Sequence, residues 1–310
     1  MTFTSARPAL GLLTLTFLLG AATAAHSQDY AASVVSSNLT SATPYNNPNA
    51  VLGQPTTLFN DTVDTPSGVY HASMVAPPFN TDSSASNDLI ASLGNVNTGP
   101  GSLVVKMASP ITHSDSHWYG EDFIVYGVAS FSDANYDSVT PTTDMSQFVI
   151  ADQGSYTLYQ NGVPTVSVST DGINFTRLTT TQTFLPTNPY SWAGISGLNP
   201  SGWGALNDFT KPVNPDLTVS DFIGQNVAYA DNTLYGGAAG GQAFSLAGSG
   251  LSTINYIEFS GFGSIDGVAG VSNNPAAVPE ASSVVSFGLL LGLGLVAVRR
   301  SRKSHPASSQ

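Results

Sequence analysis

The chain has 310 residues, 41% apolar and 10% aromatic, enough to bury a sizeable core, yet only 9% are charged. Average soluble domains carry about 25% charged residues, and disordered chains pair high charge with few aromatics, so disorder is excluded and the polar surface falls to Ser, Thr, Asn and Gln. With no cysteine, disulfides, thiolate metal sites and cysteine nucleophiles are excluded as well.

The first 24 residues read as a secretory signal peptide. Arg7 is the basic start, Ala9 to Gly20 is an apolar stretch, and Ala22-Thr23-Ala24 offers signal peptidase its small residues. Cleavage is expected after Ala24, which exports the protein. Between Ala25 and Val278 there are 19 acids against three bases, Lys106, Arg177 and Lys211, a formal charge of −16. Such a field repels nucleic acid and anionic lipid, and no G-x-x-x-x-G-K phosphate loop occurs.

Strand signals then recur along residues 25–271. Gly101 to Met107 alternates Leu103, Val105 and Met107 with Val104 and Lys106, and Asp122 to Phe131 is rich in aromatic and β-branched residues. Thr165 to Leu178 reads as a hairpin turning at Asp171-Gly172, with the alternation resumed at Ile173, Phe175 and Arg177. Asn226 to Ala230 and Thr253 to Ser260 are further predicted strands. Turn-rich clusters at Pro44 to Pro48, Thr187 to Trp192 and Tyr235 to Gly241 separate them, and no repeat of solenoid length is visible. Short strands with polar turns and little helix predict an all-β fold, an antiparallel β-sandwich, followed by a linker over 272–277.

The chain closes on a different texture. Val284 to Val298 carries no charge, the apolar span extends back to Ala281, and Arg299, Arg300, Arg302 and Lys303 follow at once. A spanning helix needs about 20 apolar residues and keeps its basic flank on the cytoplasmic side. Residues 281–298 are therefore expected to insert in a membrane, with the preceding body outside.

Val278-Pro279-Glu280-Ala281, ahead of that apolar helix and its Arg299-Arg300 cluster, resembles the PEP-CTERM sorting signal of Gram-negative bacteria; Ala281 stands where the fullest form of the motif has a second proline. The resemblance implies that residues 278–310 form a tail inserted only transiently in the membrane. It further implies an exosortase as processing partner, and delivery to the cell surface or extracellular matrix. The same tail is also labelled an ice-binding-protein C-terminal domain, a name that says nothing about ice here. Within the body, Ala50 to Pro55, GSLVVKM, Gly120 to Gly127, VSVSTDGINF and Gly240 to Leu246 occur in an order that resembles bacterial surface proteins of jelly-roll, galactose-binding-like type. That likeness implies an adhesive or carbohydrate-binding module more often than an enzyme.

Four groupings can carry chemistry. Asp133, Asn135 and Asp137, with Asp144 at position 12, space oxygen ligands as a calcium loop does, although Ser138 replaces the turn glycine; a solvated acidic loop is the other reading. His113, Asp115 and His117 would share one face of a strand, close to Glu121 and Asp122, which suits zinc, whereas the serine-rich setting reads as an exposed loop. Trp118, Tyr119, Tyr190, Trp192 and Trp203 form either a sugar-stacking platform or ordinary packing, and Thr179-Thr180-Thr181 lacks the repetition an ice-binding array needs. No G-x-S-x-G elbow occurs in the body, and Glu121 and Glu258 are its only glutamates for paired-carboxylate chemistry. The expected function is a secreted, non-catalytic surface or matrix protein that contacts polysaccharide; the alternative is a secreted polysaccharide-active hydrolase.

Overall fold

The computed structural model of the chain describes residues 29–41, 45–61, 68–76, 89–135, 148–153, 163–192 and 204–275. The predicted signal peptide, Asp137, Asp144, Trp203 and the whole sorting tail, with its span 281–298, lie outside the described residues. Among the described residues no helix is long and apolar enough to cross a membrane.

Those residues form an all-β body of antiparallel sheets. In chain order the strands are β1 (Ala31–Asn38), β2 (Leu58–Asp61), β3 (Gly68–His71), β4 (Ala91–Gly94), β5 (Gly101–Thr112), β6 (Phe123–Gly127) and β7 (Phe131–Asp133). They continue with β8 (Ile150–Gln153), β9 (Thr165–Ser169), β10 (Thr176–Arg177), β11 (Gln242–Phe244), β12 (Thr253–Gly261) and β13 (Gly263–Gly270). A five-stranded sheet runs β1-β5-β12-β9-β10 and a four-stranded sheet runs β11-β6-β13-β4. The pairs β2-β3 and β7-β8 stand as small separate sheets.

The two larger sheets share one apolar core. Leu103, Val105 and Met107 of β5, Ile257 and Phe259 of β12, and Val166 and Val168 of β9 meet Phe123 and Val125 of β6, Ile265 and Val268 of β13 and Leu93 of β4. Fully burying each large side chain stabilises the fold by roughly 1.5–3 kcal/mol. The period of two on β5 is plain: Lys106 is exposed between buried Val105 and Met107. In contrast, all five residues of β6 are buried. Phe123 and Val125 enter the shared core, while Ile124 and Tyr126 enter a second cluster on the opposite face with Phe209, Ala239 and Ala243. Cover on both faces explains why FIVYG is a continuous apolar run.

A third cluster (Phe131, Ile150, Leu185, Phe222, Val227, Tyr235) packs around short helical turns. They are α1 (Val219–Phe222), α2 (Val227–Tyr229) and a π-turn over Ala230–Tyr235. Asn226 to Ala230 is therefore not the predicted strand. The Asn226 side chain accepts a hydrogen bond from the Tyr229 backbone N–H at 2.8 Å and so caps a helical turn, which outweighs the strand propensity of Val227 and Tyr229. The hairpin is corrected in detail as well. Strand structure stops at Ser169 and resumes only at Thr176. The intervening loop is organised by Asp171, whose Oδ1 accepts from the backbone N–H of Ile173 and of Asn174, while Ile173 itself is exposed.

Gly101, where the chain turns from β4 into β5, is required by close approach. A Cβ there would lie 1.9 Å from the Leu93 carbonyl oxygen and 2.6 Å from that of Asn38. Gly101→Ala is expected to cost about 1–3 kcal/mol of stability through this overlap, read as a lower urea midpoint at unchanged m-value.

Candidate functional site

The connection from β5 to β6 carries the chain from one sheet to the other, and the site is built there. Ser114 to His117 closes a turn, with the His117 N–H donating to the Ser114 carbonyl at 3.1 Å, so residues 113–117 do not lie along a strand. The turn brings His113 and His117 to the same side, and the fully exposed Asp115 lies with its Oδ1 3.6 Å from His113 Nε2. Both imidazoles converge on Asp122, which is completely buried just before β6. His113 Nδ1 lies 2.9 Å from Asp122 Oδ2 and His117 Nδ1 lies 2.9 Å from Oδ1. Two backbone donors complete the set: Leu246 N–H to Oδ2 at 2.7 Å and Ser114 N–H to Oδ1 at 3.2 Å.

The electrostatics follow from that arrangement. Burial alone would raise the Asp122 pKa, but the bonds from His117, the Leu246 N–H, His113 and the Ser114 N–H together hold it below the ordinary carboxylate value. His113 is pushed up chiefly by its hydrogen bond to Asp122. Glu121 is raised to about 7 by burial and by the neighbouring Asp122 charge, and its Oε2 is buried without a hydrogen-bond partner. The loop is therefore not the solvated segment its serines suggest: a buried carboxylate anchors it. The Nδ1 atoms of both imidazoles are taken up by Asp122. No group of three or more His, Asp and Glu side chains able to hold a metal ion occurs among the described residues.

A cleft of about 220 Å³ opens beside Asp122 and His117. Pro110, Ile111 and Thr112 from the end of β5, Thr210, and Gly270 to Ser272 at the end of β13 and just past it form its walls. Two positions after His117, Tyr119 is 48% exposed and holds φ at +57°, a left-handed backbone that a tyrosine adopts at a cost of about 1–3 kcal/mol. The neighbouring Trp118 ring lies 4.7 Å beneath the Lys211 ammonium.

The remaining predicted residues are dispersed. Trp192 is buried in the third cluster and Tyr190 meets His71 edge-on at 4.3 Å, so neither joins Trp118 and Tyr119 in one platform. Asp133 ends β7, its Oδ1 accepting from the backbone N–H of Asn135 and of Val149; the other two residues of the calcium reading, Asp137 and Asp144, are outside the described residues. Glu258 sits within β12 opposite Val104 and Ser167, on a different element from Glu121. Thr180 Oγ1 donates to the Ala243 carbonyl rather than standing in an array.

Two buried carboxylates escaped the sequence reading. Asp231 accepts from Asn188 Nδ2, the Trp192 N–H and Asn207 Nδ2, tying three loops together. Burial nevertheless raises its pKa, against the lowering effect of those three donors. Asp266 in β13 accepts from the Thr56 N–H, at 3.1 and 3.0 Å to its two oxygens. Neither has a local sequence signal, because the donors lie far away along the chain. Neither a scan of protein-family models nor a search of curated proteins found a match to this chain.

Proposed function

We propose that the chain is an exported, non-catalytic protein of the bacterial surface or extracellular matrix, delivered by an exosortase-type tail and holding polysaccharide through its β body. The observation that carries this reading is the order of parts: an acidic all-β body, then Val278-Pro279-Glu280-Ala281, an apolar span, and Arg299-Arg300. Support for the jelly-roll form comes from the path of the chain. Successive strands β4, β5 and β6, and again β11, β12 and β13, alternate between the two larger sheets.

Intact mass of the protein recovered from the native host's medium tests the delivery step. The expected product lacks residues 1–24 and ends near Pro279-Glu280. A recovered chain that still ends at Gln310 overturns tail processing. Co-sedimentation of the same material with the host's exopolysaccharide tests the binding role; protein that stays wholly in the supernatant overturns it.

A further inference from the structure

The cleft at the Asp122 end is more than a gap between loops, because one of its walls is a prepared side chain. Asp122 occupies Nδ1 of His117, and among the described residues the ring makes its hydrogen bond through that atom. A neutral ring therefore keeps its proton on Nδ1 and presents Nε2 as an acceptor, oriented by a carboxylate that is itself fully buried. Around it the lining mixes hydroxyls (Thr112, Thr210, Ser272) with the apolar surfaces of Pro110, Ile111 and Val271. Thr210 Oγ1 already donates to Asp208 Oδ1 at 2.7 Å, which leaves its oxygen to accept. Apolar walls with a few fixed polar groups are the usual make-up of a small-ligand site, and this one is smaller than the roughly 300–1,000 Å³ of drug-sized pockets. Among the described residues no Lys or Arg lines it, Asp29 does, and the body's charge is strongly negative. An anionic ligand would find no counter-charge there.

We propose that this cleft binds a single neutral, hydroxyl-rich sugar unit, with His117 Nε2 accepting from a ligand hydroxyl and Asp122 as the positioning residue. This deepens the polysaccharide reading above and rests on it. Acidic sugars such as uronates are excluded by the same field.

The test uses the full-length chain in detergent and the host's exopolysaccharide, hydrolysed to short oligosaccharides and split by ion exchange into neutral and acidic fractions. In ¹⁵N-labelled wild type, the His117 ring signals should report the Nδ1–H tautomer and move on titration with the neutral fraction. His117→Ala should weaken calorimetric binding at least tenfold with the circular dichroism spectrum retained, and the acidic fraction should not bind. Binding of the neutral fraction without any shift at His117, or preference for the acidic fraction, overturns the site and leaves the polysaccharide reading standing. No binding of either fraction overturns both. The wild-type ring signals decide the matter should the variant fail to fold.

Discussion

Asp122→Ala is expected to lower the unfolding free energy by about 3–5 kcal/mol, the range for removing one partner from a buried charged hydrogen-bond set. Four donors lose their acceptor at once: two imidazoles and the N–H groups of Ser114 and Leu246. The latter two belong to different connections between the sheets, so the loss loosens both the β5–β6 and the β11–β12 crossings. At about 2–4 °C per kcal/mol for a chain of this size, the melting midpoint should fall by roughly 10 °C. Asp122→Asn should be nearly as severe, since its amide would set donors against donors. The sign with pH is fixed by the lowered pKa. Asp122 contributes its full stability above its unfolded value of 3.8 and loses it as pH falls through the lower folded value. A variant within 1 kcal/mol of wild type at pH 7 would show that the cluster is not an anchor.

The second large effect has the opposite sign. Asp266 is 1% exposed and receives one backbone N–H, so burial raises its pKa from 3.8 to about 7, against the lowering effect of Thr56. Between these values the folded chain holds a proton that the unfolded chain has released. Stability therefore falls as pH rises from about 4 to about 7, by up to about 1.4 kcal/mol per unit, and is level above that. Asp266→Asn keeps an acceptor for Thr56 and removes the ionisation. The variant should match wild type near pH 4 and exceed it by about 3–4 kcal/mol at pH 8, with a flatter pH profile in urea unfolding. An unchanged profile would refute the buried titration.

Much of the fold was legible from residues that touch neighbours close in sequence or alternate cleanly. GSLVVKM and TINYIEFS became strands because their apolar face is buried and period two records that; VSVS shows the same alternation although its serines are buried too. β13 was not legible: GSIDGVAG holds three glycines and an aspartate, and its strand form comes from pairing with β6 and β4. Asn226 to Ala230 misled because strand propensity was weighed without the capping role of Asn226. At the site, the sequence singled out His113, His117 and Asp122 together, but not their relation. That relation depends on the Leu246 N–H, 124 positions away, and on a burial that only the closed sandwich creates.

The exit of the chain from the body has a consequence for access. After β13, Ser272 N–H donates to the Thr210 carbonyl, Asn274 N–H to that of Ser116, and Asn273 bridges His117, so the departing segment runs along the rim of the cleft. Pro275 lies only six positions before Ala281, where the proposed lipid-embedded span starts. Fully stretched, those six steps of chain reach roughly 20 Å. Under the proposed delivery, a tether of that length would keep the mouth of the cleft near the headgroups while the span is inserted, where long polymer strands are crowded out. On that proposal, cutting the tether would do two things in one event: free the protein from the envelope and turn the proposed sugar-binding end to the outside.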